Sequence, residues 1–245
     1  MASVIREDVI KSIKDGNKDF KGWDLSGLDL NHIELIDANL SNANLKMVNL
    51  IEANLEMANL IGVNLGYSNL SNANLSNANL EGAILENAHL VSVNLKGANL
   101  KNIKTINSNP LRGADFTKAI LVEVNLEGAE IKGANLSWAN LEEANLEGAN
   151  LEGANLYEAN LSYANLQNVN LSDAYLGFAT LEGANLEGAN LKWSNLYKAN
   201  LTYSNISRTN LKFANLKFSN LVNANIEEAN LYGANMEGTT LEGVD

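Results

Sequence analysis

The chain has no cysteine, one proline and two histidines among its 245 residues. Without cysteine there are no disulfides, no thiolate catalysis and no cysteine-ligated zinc, which suits a reducing cytoplasm. Positive charge is scarce as well. Seventeen Lys and Arg stand against 29 Asp and Glu, a net charge of −12, which disfavours direct contact with nucleic acid or anionic lipid. No apolar run approaches the ~18 residues of a membrane span. The start, Met1-Ala2-Ser3-Val4-Ile5-Arg6-Glu7-Asp8, lacks the apolar stretch of a secretory signal. Together these absences predict a cytoplasmic protein with no cofactor, no membrane partner and no nucleic-acid partner.

What is abundant is leucine at every fifth position, preceded by Ala-Asn: Ala38-Asn39-Leu40, Ala43-Asn44-Leu45, Ala144-Asn145-Leu146, Ala149-Asn150-Leu151. A period of five matches neither the 3.6-residue helix nor the two-residue strand. Each unit must therefore combine a short extended piece with a turn. With the large residue called i, position i−2 is small, usually Ala, with Ser68, Ser194, Ser204, Ser219 and Thr209 as variants and Val48, Val63, Val93, Val124 and Val169 as the larger choice. One large and one small inward residue per unit can tile a narrow interior. Position i−1 is usually Asn, which predicts amide ladders along stacked coils. Positions i+1 and i+2 vary. Gly recurs at i+2, as in Leu146-Glu147-Gly148, where a turn needs positive φ.

Residues 1–17 stand apart as an N-terminal capping helix. Ile5, Val9 and Ile13 form an amphipathic stripe, with Ser3 as the expected N-cap and Gly16-Asn17 as the stop. From Phe20 to Leu100 the centres fall on multiples of five; from Ile106 to Leu241 they fall one later. One residue is thus inserted at 101–105, and a β-bulge with Ile103 and Ile106 inward and Lys104-Thr105 outward accounts for it. Pro110 lies just beyond, where a missing N–H demands local adjustment.

The A-N-L-x-x repeat resembles the pentapeptide-repeat family, whose consensus is A-(D/N)-(L/F)-x-x. The resemblance covers residues 18–243. It implies an all-β solenoid, a right-handed quadrilateral β-helix (repeat-five-residue fold) with four pentapeptides per square coil, here about 11 coils after the short N-terminal capping α-helix. At roughly 4.8 Å per coil the rod would be on the order of 54 Å long. Trp23, Leu28 and Ile33 fill the usually small i−2 sites of the first coil and would form a lid with the helix. Thr239-Thr240-Leu241-Glu242-Gly243-Val244-Asp245 carry no such lid. The last coil should fray or be covered by another copy, through residues near 226–245.

Two surface asymmetries offer function. Counted around the coil from Phe20, the first two faces collect the candidate acidic residues Glu123, Glu127, Glu142, Glu143, Glu147, Glu182 and Glu187, opposed chiefly by Lys46, Lys101 and Arg208. The other two faces hold most of the bases. The second asymmetry is aromatic. Trp138, Tyr157, Phe178, Tyr197 and Phe218 follow one another coil by coil on one face, with Tyr175 beside them; Trp193, Phe213 and Tyr232 lie on the preceding face. Trp138, Tyr157, Tyr175, Phe178, Trp193, Tyr197, Phe213 and Phe218 are the candidate partner-binding residues, for an unidentified protein or for a second copy. The alternative comes from the resemblance: in the family's quinolone-resistance branch, acidic rods occupy the DNA site of a topoisomerase. Against that reading, the long projecting loops and C-terminal dimerisation helix of that branch are missing, and Phe is rare at i.

Catalytic and metal motifs fail. His32 and His89 occupy different site types, glutamate pairs such as Glu142-Glu143 lie on a convex surface, and no G-x-G-x-x-G or D-x-D-x-D-G loop occurs. The expectation is a non-enzymatic scaffold for protein–protein interaction.

Overall fold

The computed structural model describes residues 4–103 and 111–244. Asp19 pairs in parallel with Asn39, Asp24 with Asn44, Asp29 with Asn49 and Glu34 with Asn54; these four columns continue twenty residues at a time to Asn220–Thr240. Four pairings per twenty residues make a square coil, and the fold is a right-handed quadrilateral β-helix. Each edge is too short for more than one bridge per coil, because the chain turns again two residues later. The step lengthens from 20 to 21 at Asn94–Asp115 and Asn99–Ile120, then returns to 20 at Asp115–Asn135. Residues 104–110, with Lys104, Thr105, Ile106 and Pro110 of the expected bulge, lie outside the described residues; Ile103 is buried.

The interior is built from the two inward positions. Leu at i and Ala at i−2 are buried throughout the middle of the rod. The N–H at i donates to the coil ahead, as Leu50 to the Asn69 carbonyl at 2.7 Å, and the N–H at i−1 donates back, as Asn69 to Val48 at 3.0 Å. Hydroxyls at i−2 are satisfied locally. Those of Ser194, Ser204, Thr209 and Ser219 each donate at 2.7 Å to the carbonyl three residues before. Among the described residues no buried side-chain polar atom lacks a partner.

Asparagine at i−1 does two jobs, of which the sequence suggested one. Its amide nitrogen donates to the asparagine one coil earlier, as Asn74 to Asn54 at 3.0 Å. Its Oδ1 also accepts the N–H two residues on, as from Ser76 at 3.1 Å, an Asx turn that starts the corner. The lowest rung has no amide below it to meet, so acceptor-only carboxylates serve there. Asp19, Asp24, Asp29 and Glu34 accept from Asn39, Asn44, Asn49 and Asn54.

Corner after corner, from Trp23 onto Phe20 to Thr239 onto Met236, closes with the next i−2 N–H donating to the carbonyl of i, as Ala53 to Leu50 at 3.0 Å. Each holds i+2 at positive φ, as a type II turn requires. The recurrent glycines at i+2 pointed to that conformation. The structure imposes it on 29 other residues, among them Met57, Glu143, Trp138 and Phe178.

The helix, α1 (Arg6–Lys14), covers the first coil. Its N-cap is Ile5, two residues later than expected; Ser3 lies outside the described residues. The Ile5 N–H is accepted by the Asp8 carboxylate at 3.0 Å. At the other end Gly16 (φ 81°) and Asn17 donate to Ile13 and Ser12, a Schellman stop. Val9 is buried, and Trp23 meets Phe20 edge-on at 5.1 Å. Arg6 donates to the Asp29 carbonyl and, at 3.0 Å, to the Asn31 carbonyl, two acceptors that would otherwise face an absent coil. In the last coil the inward Ile226, Leu231 and Met236 are only half-buried and Leu241 is exposed.

Candidate interaction surface

Number the faces from Phe20, so that face 4 carries the centres Phe116, Leu136, Leu156, Leu176, Leu196, Leu216 and Met236. A side chain at i+2 leaves the corner along the rod, because positive φ turns its Cα–Cβ bond toward the next coil. A Cβ added to Gly183 or Gly233 would sit 2.7 or 2.5 Å from the rings of Tyr163 and Phe213, one coil earlier, and one added to Gly238 would run into the Phe218 ring in the same way. A large i+2 residue overlies a glycine twenty residues later at Tyr163, Phe213 and Phe218, is followed by an aromatic displaced to i+1 at Trp138 and Phe178, and stacks on a second i+2 ring at Trp193. Face 4 uses the displaced arrangement up to Phe218, which overlies Gly238.

There Trp138 (i+2), Tyr157 (i+1), Phe178 (i+2), Tyr197 (i+1) and Phe218 (i+2) alternate, and each ring meets the next edge to face. Centroids are 5.7, 5.6, 5.6 and 5.9 Å apart and interplanar angles run from 72° to 84°. Tyr175 stacks on Tyr157 at 5.8 Å and 17°, over Gly177, where a side chain would meet both rings. Trp138, Tyr175, Phe178 and Phe218 are 41–48% exposed, while Tyr157 and Tyr197 are half-buried between neighbours. Lysines lie over the rings: Lys118 over Trp138, Lys198 over Phe178 and Tyr197, and Lys217 over Phe218, at 5.0–5.9 Å. Trp138 donates to Glu158 at 3.2 Å. A hydrogen bond to the neighbouring Glu158 carboxylate, then burial, holds the Tyr157 phenol above its ordinary pKa.

Six of the eight candidate residues therefore form one continuous chain of contacts on face 4. The other two, Trp193 and Phe213, stack at 4.3 Å and 13° on face 3 and continue to Tyr232 at 5.6 Å. The lysines over the rings and the glycines beneath them were missed from the sequence. An aromatic at n with Gly at n+20 is the signal that finds the latter.

The acidic residues are distributed over faces 1 and 2 and are partly engaged within the rod. Glu127, Glu142 and Glu147 accept from the ladder amides of Asn145, Asn160 and Asn165 at 3.2–3.5 Å. Arg208 reaches Glu187 at 3.4 Å and Glu228 at 3.1 Å. Glu123, Glu143 and Glu182 have no such acceptor role among the described contacts. A shallow groove of about 240 Å³ beside α1 is lined by Arg6, Ile10, Ile13, Lys14, His32, Ile33 and Glu34, with Arg6 committed to backbone carbonyls. Among the described residues no group of three or more His, Asp or Glu could hold a metal ion, and no helix is long and apolar enough to cross a membrane.

The pentapeptide-repeat family model matches over residues 19–56, 29–66, 68–104, 111–148, 134–173, 174–212 and 209–245. Among solved structures the chain is similar to HetL, a pentapeptide repeat protein involved in heterocyst differentiation regulation from the cyanobacterium Nostoc sp. strain PCC 7120. Identity is 30%, coverage is 100% of this chain and 97% of HetL, and the TM-score is 0.57. Rfr23 from the cyanobacterium Cyanothece 51142 is 37% identical over 43% of this chain and 58% of its own, with a TM-score of 0.26. QnrB1, a plasmid-mediated fluoroquinolone resistance protein, is 20% identical over 80% of this chain and 89% of its own, with a TM-score of 0.34. At these scores neither of the last two informs function. No curated protein matches the chain.

Proposed function

We propose that this chain, which belongs to the pentapeptide-repeat family, is a rigid non-enzymatic scaffold that binds a protein through the aromatic corner of face 4. The observation that carries this reading is the placement of the rings. Every corner among the described residues holds positive φ, so what sets this one apart is continuity: the rings of five consecutive coils touch one another while Trp138, Phe178 and Phe218 stay 41–48% exposed. Aromatic anchors of this size dominate binding energy at protein interfaces. The missing cysteines fit a reducing cytoplasm as the place of work.

The acidic faces support DNA mimicry less well, because three of the seven candidate glutamates are turned onto the ladder asparagines. The test is photocrosslinking in cells with p-benzoylphenylalanine at Phe178 and, separately, at Glu147. Adducts from position 178 alone are expected. Adducts from 147 alone, or from neither, would overturn the proposal.

A further inference from the structure

Rings that repeat once per coil match, ring for ring, a surface with the same ~4.8 Å repeat. The chain itself offers that repeat. Resting on the interaction role proposed above for face 4, we infer that its occupant is a second copy of this chain, packed side by side and antiparallel about a twofold axis at Phe178.

The pattern of outer residues on face 4 supports that symmetry. An axis lying across the rod at the Phe178 coil reverses coil order and keeps i+1 opposite i+1 and i+2 opposite i+2. Glu158, one coil before the axis, then meets Lys198, one coil after it, both at i+2. Tyr157 meets Tyr197 at i+1, and Trp138 meets Phe218 at i+2 two coils out. Lys217 arrives next to Trp138 in that same pair of coils; three coils out, Lys118 arrives beside Glu237, which Lys217 of its own rod already holds at 2.8 Å. Phe178 and Tyr175 meet their own copies, with Gly177 between them leaving the two rods free to approach.

No like charges face each other in this register. Moving the axis one coil earlier sets Lys118 on Lys198; one coil later, Glu158 approaches Glu237. A parallel pair, about an axis along the rods, would keep each coil level with itself and set i+1 opposite i+2, so that Glu158 faces Tyr157 and Lys198 faces Tyr197 and neither charge meets its opposite. Opposite charge across an interface, with like charge in the shifted registers, is how a register is selected. Glu158 and Lys198 are two coils apart on one rod, so their attraction is spent mainly between copies. Seven coils span ~34 Å on one narrow corner, near the small end of specific interfaces, so the dimer should dissociate in the micromolar range.

Sedimentation equilibrium on wild type, E158K, K198E, the double variant E158K/K198E and L241E tests this. Wild type should dimerise reversibly, each single reversal should weaken the dimer by roughly tenfold or more, and the double reversal should restore it to within about threefold. L241E, at the exposed end of the rod, should change nothing. A wild type that is monomeric at millimolar concentration, a double variant no better than the singles, or a dimer lost in L241E would each overturn the antiparallel arrangement. With no native cysteine to interfere, E158C and K198C should form a disulfide dimer when mixed and none when alone; equal yields alone and mixed would refute the register. A monomeric wild type whose position 178 still captures a foreign protein would remove this inference and leave the scaffold reading standing. No adduct at 178 would remove both.

Discussion

Face 4 in the first half of the rod carries Ile36-Asp37, Glu56-Met57, Ser76-Asn77 and Lys96-Gly97 at its corners; in the second half it carries Ser137-Trp138, Tyr157-Glu158, Gly177-Phe178 and Lys217-Phe218. The backbone beneath is the same. φ is 57° at both Met57 and Trp138 and 59° at both Asp37 and Phe178, and the inward Leu55 and Leu156 are equally buried. Two residues in every five are thus released from the demands of the fold, and the halves differ in what fills them. A bulky residue at positive φ costs of order 1 kcal/mol. Each edge-to-face pair returns ~0.5–1.5 kcal/mol, so the aromatic corner is close to neutral for stability. Such a surface can be acquired without disturbing the rod.

The largest test of that equivalence is in the core. Leu151→Ala and Leu55→Ala should each cost roughly 2–5 kcal/mol in chemical denaturation, because neither tight coil can collapse around the void. Values differing between the halves by more than about 2 kcal/mol would break the comparison. Ala149→Leu should cost about 1–3 kcal/mol by overpacking the small inward site. An unchanged melting temperature would refute the assigned register.

A smaller effect separates the halves. Gly82→Ala has open space at its Cβ and should cost about 1 kcal/mol for its positive φ alone. Gly183→Ala should cost more, because the new methyl would displace the Tyr163 ring, 2.7 Å away. Equal costs would show that ring packing on the corners is energetically idle. The smallest effect is a titration. With its pKa raised, Tyr157 stabilises the fold below the ordinary phenol value near 10, and that contribution is lost as pH rises through the folded pKa. Ultraviolet titration should show Tyr157 ionising late, and earlier in Glu158→Gln, which removes the largest cause of the shift.

The square coil came from the resemblance to the pentapeptide-repeat family. The inward residues were legible because a leucine every fifth residue with alanine two before it suits a narrow interior. The ladder asparagines and the helix stop at Gly16-Asn17 were legible for the same local reasons. Less was visible where two coils meet. The N-cap moved from Ser3 to Ile5, whose backbone takes the Asp8 carboxylate, and Arg6 proved to be a cap for two carbonyls of the first coil. The roll of aromatics was readable from numbering alone. Their contact order was not, since it depends on the direction in which a positive-φ corner aims its side chain.

The sequence by itself determined the period and the inward residues, because those follow from spacing along one chain; the column in which each side chain stands needs the four-unit coil, which the family resemblance implied and the parallel pairings twenty residues apart display. Only the tertiary structure decided which columns touch. Residues twenty apart become neighbours when one coil settles on the next, and the corner geometry then sets whether Trp138 meets Tyr157, whether a lysine lies over a ring, and whether a glutamate faces outward or back onto the ladder.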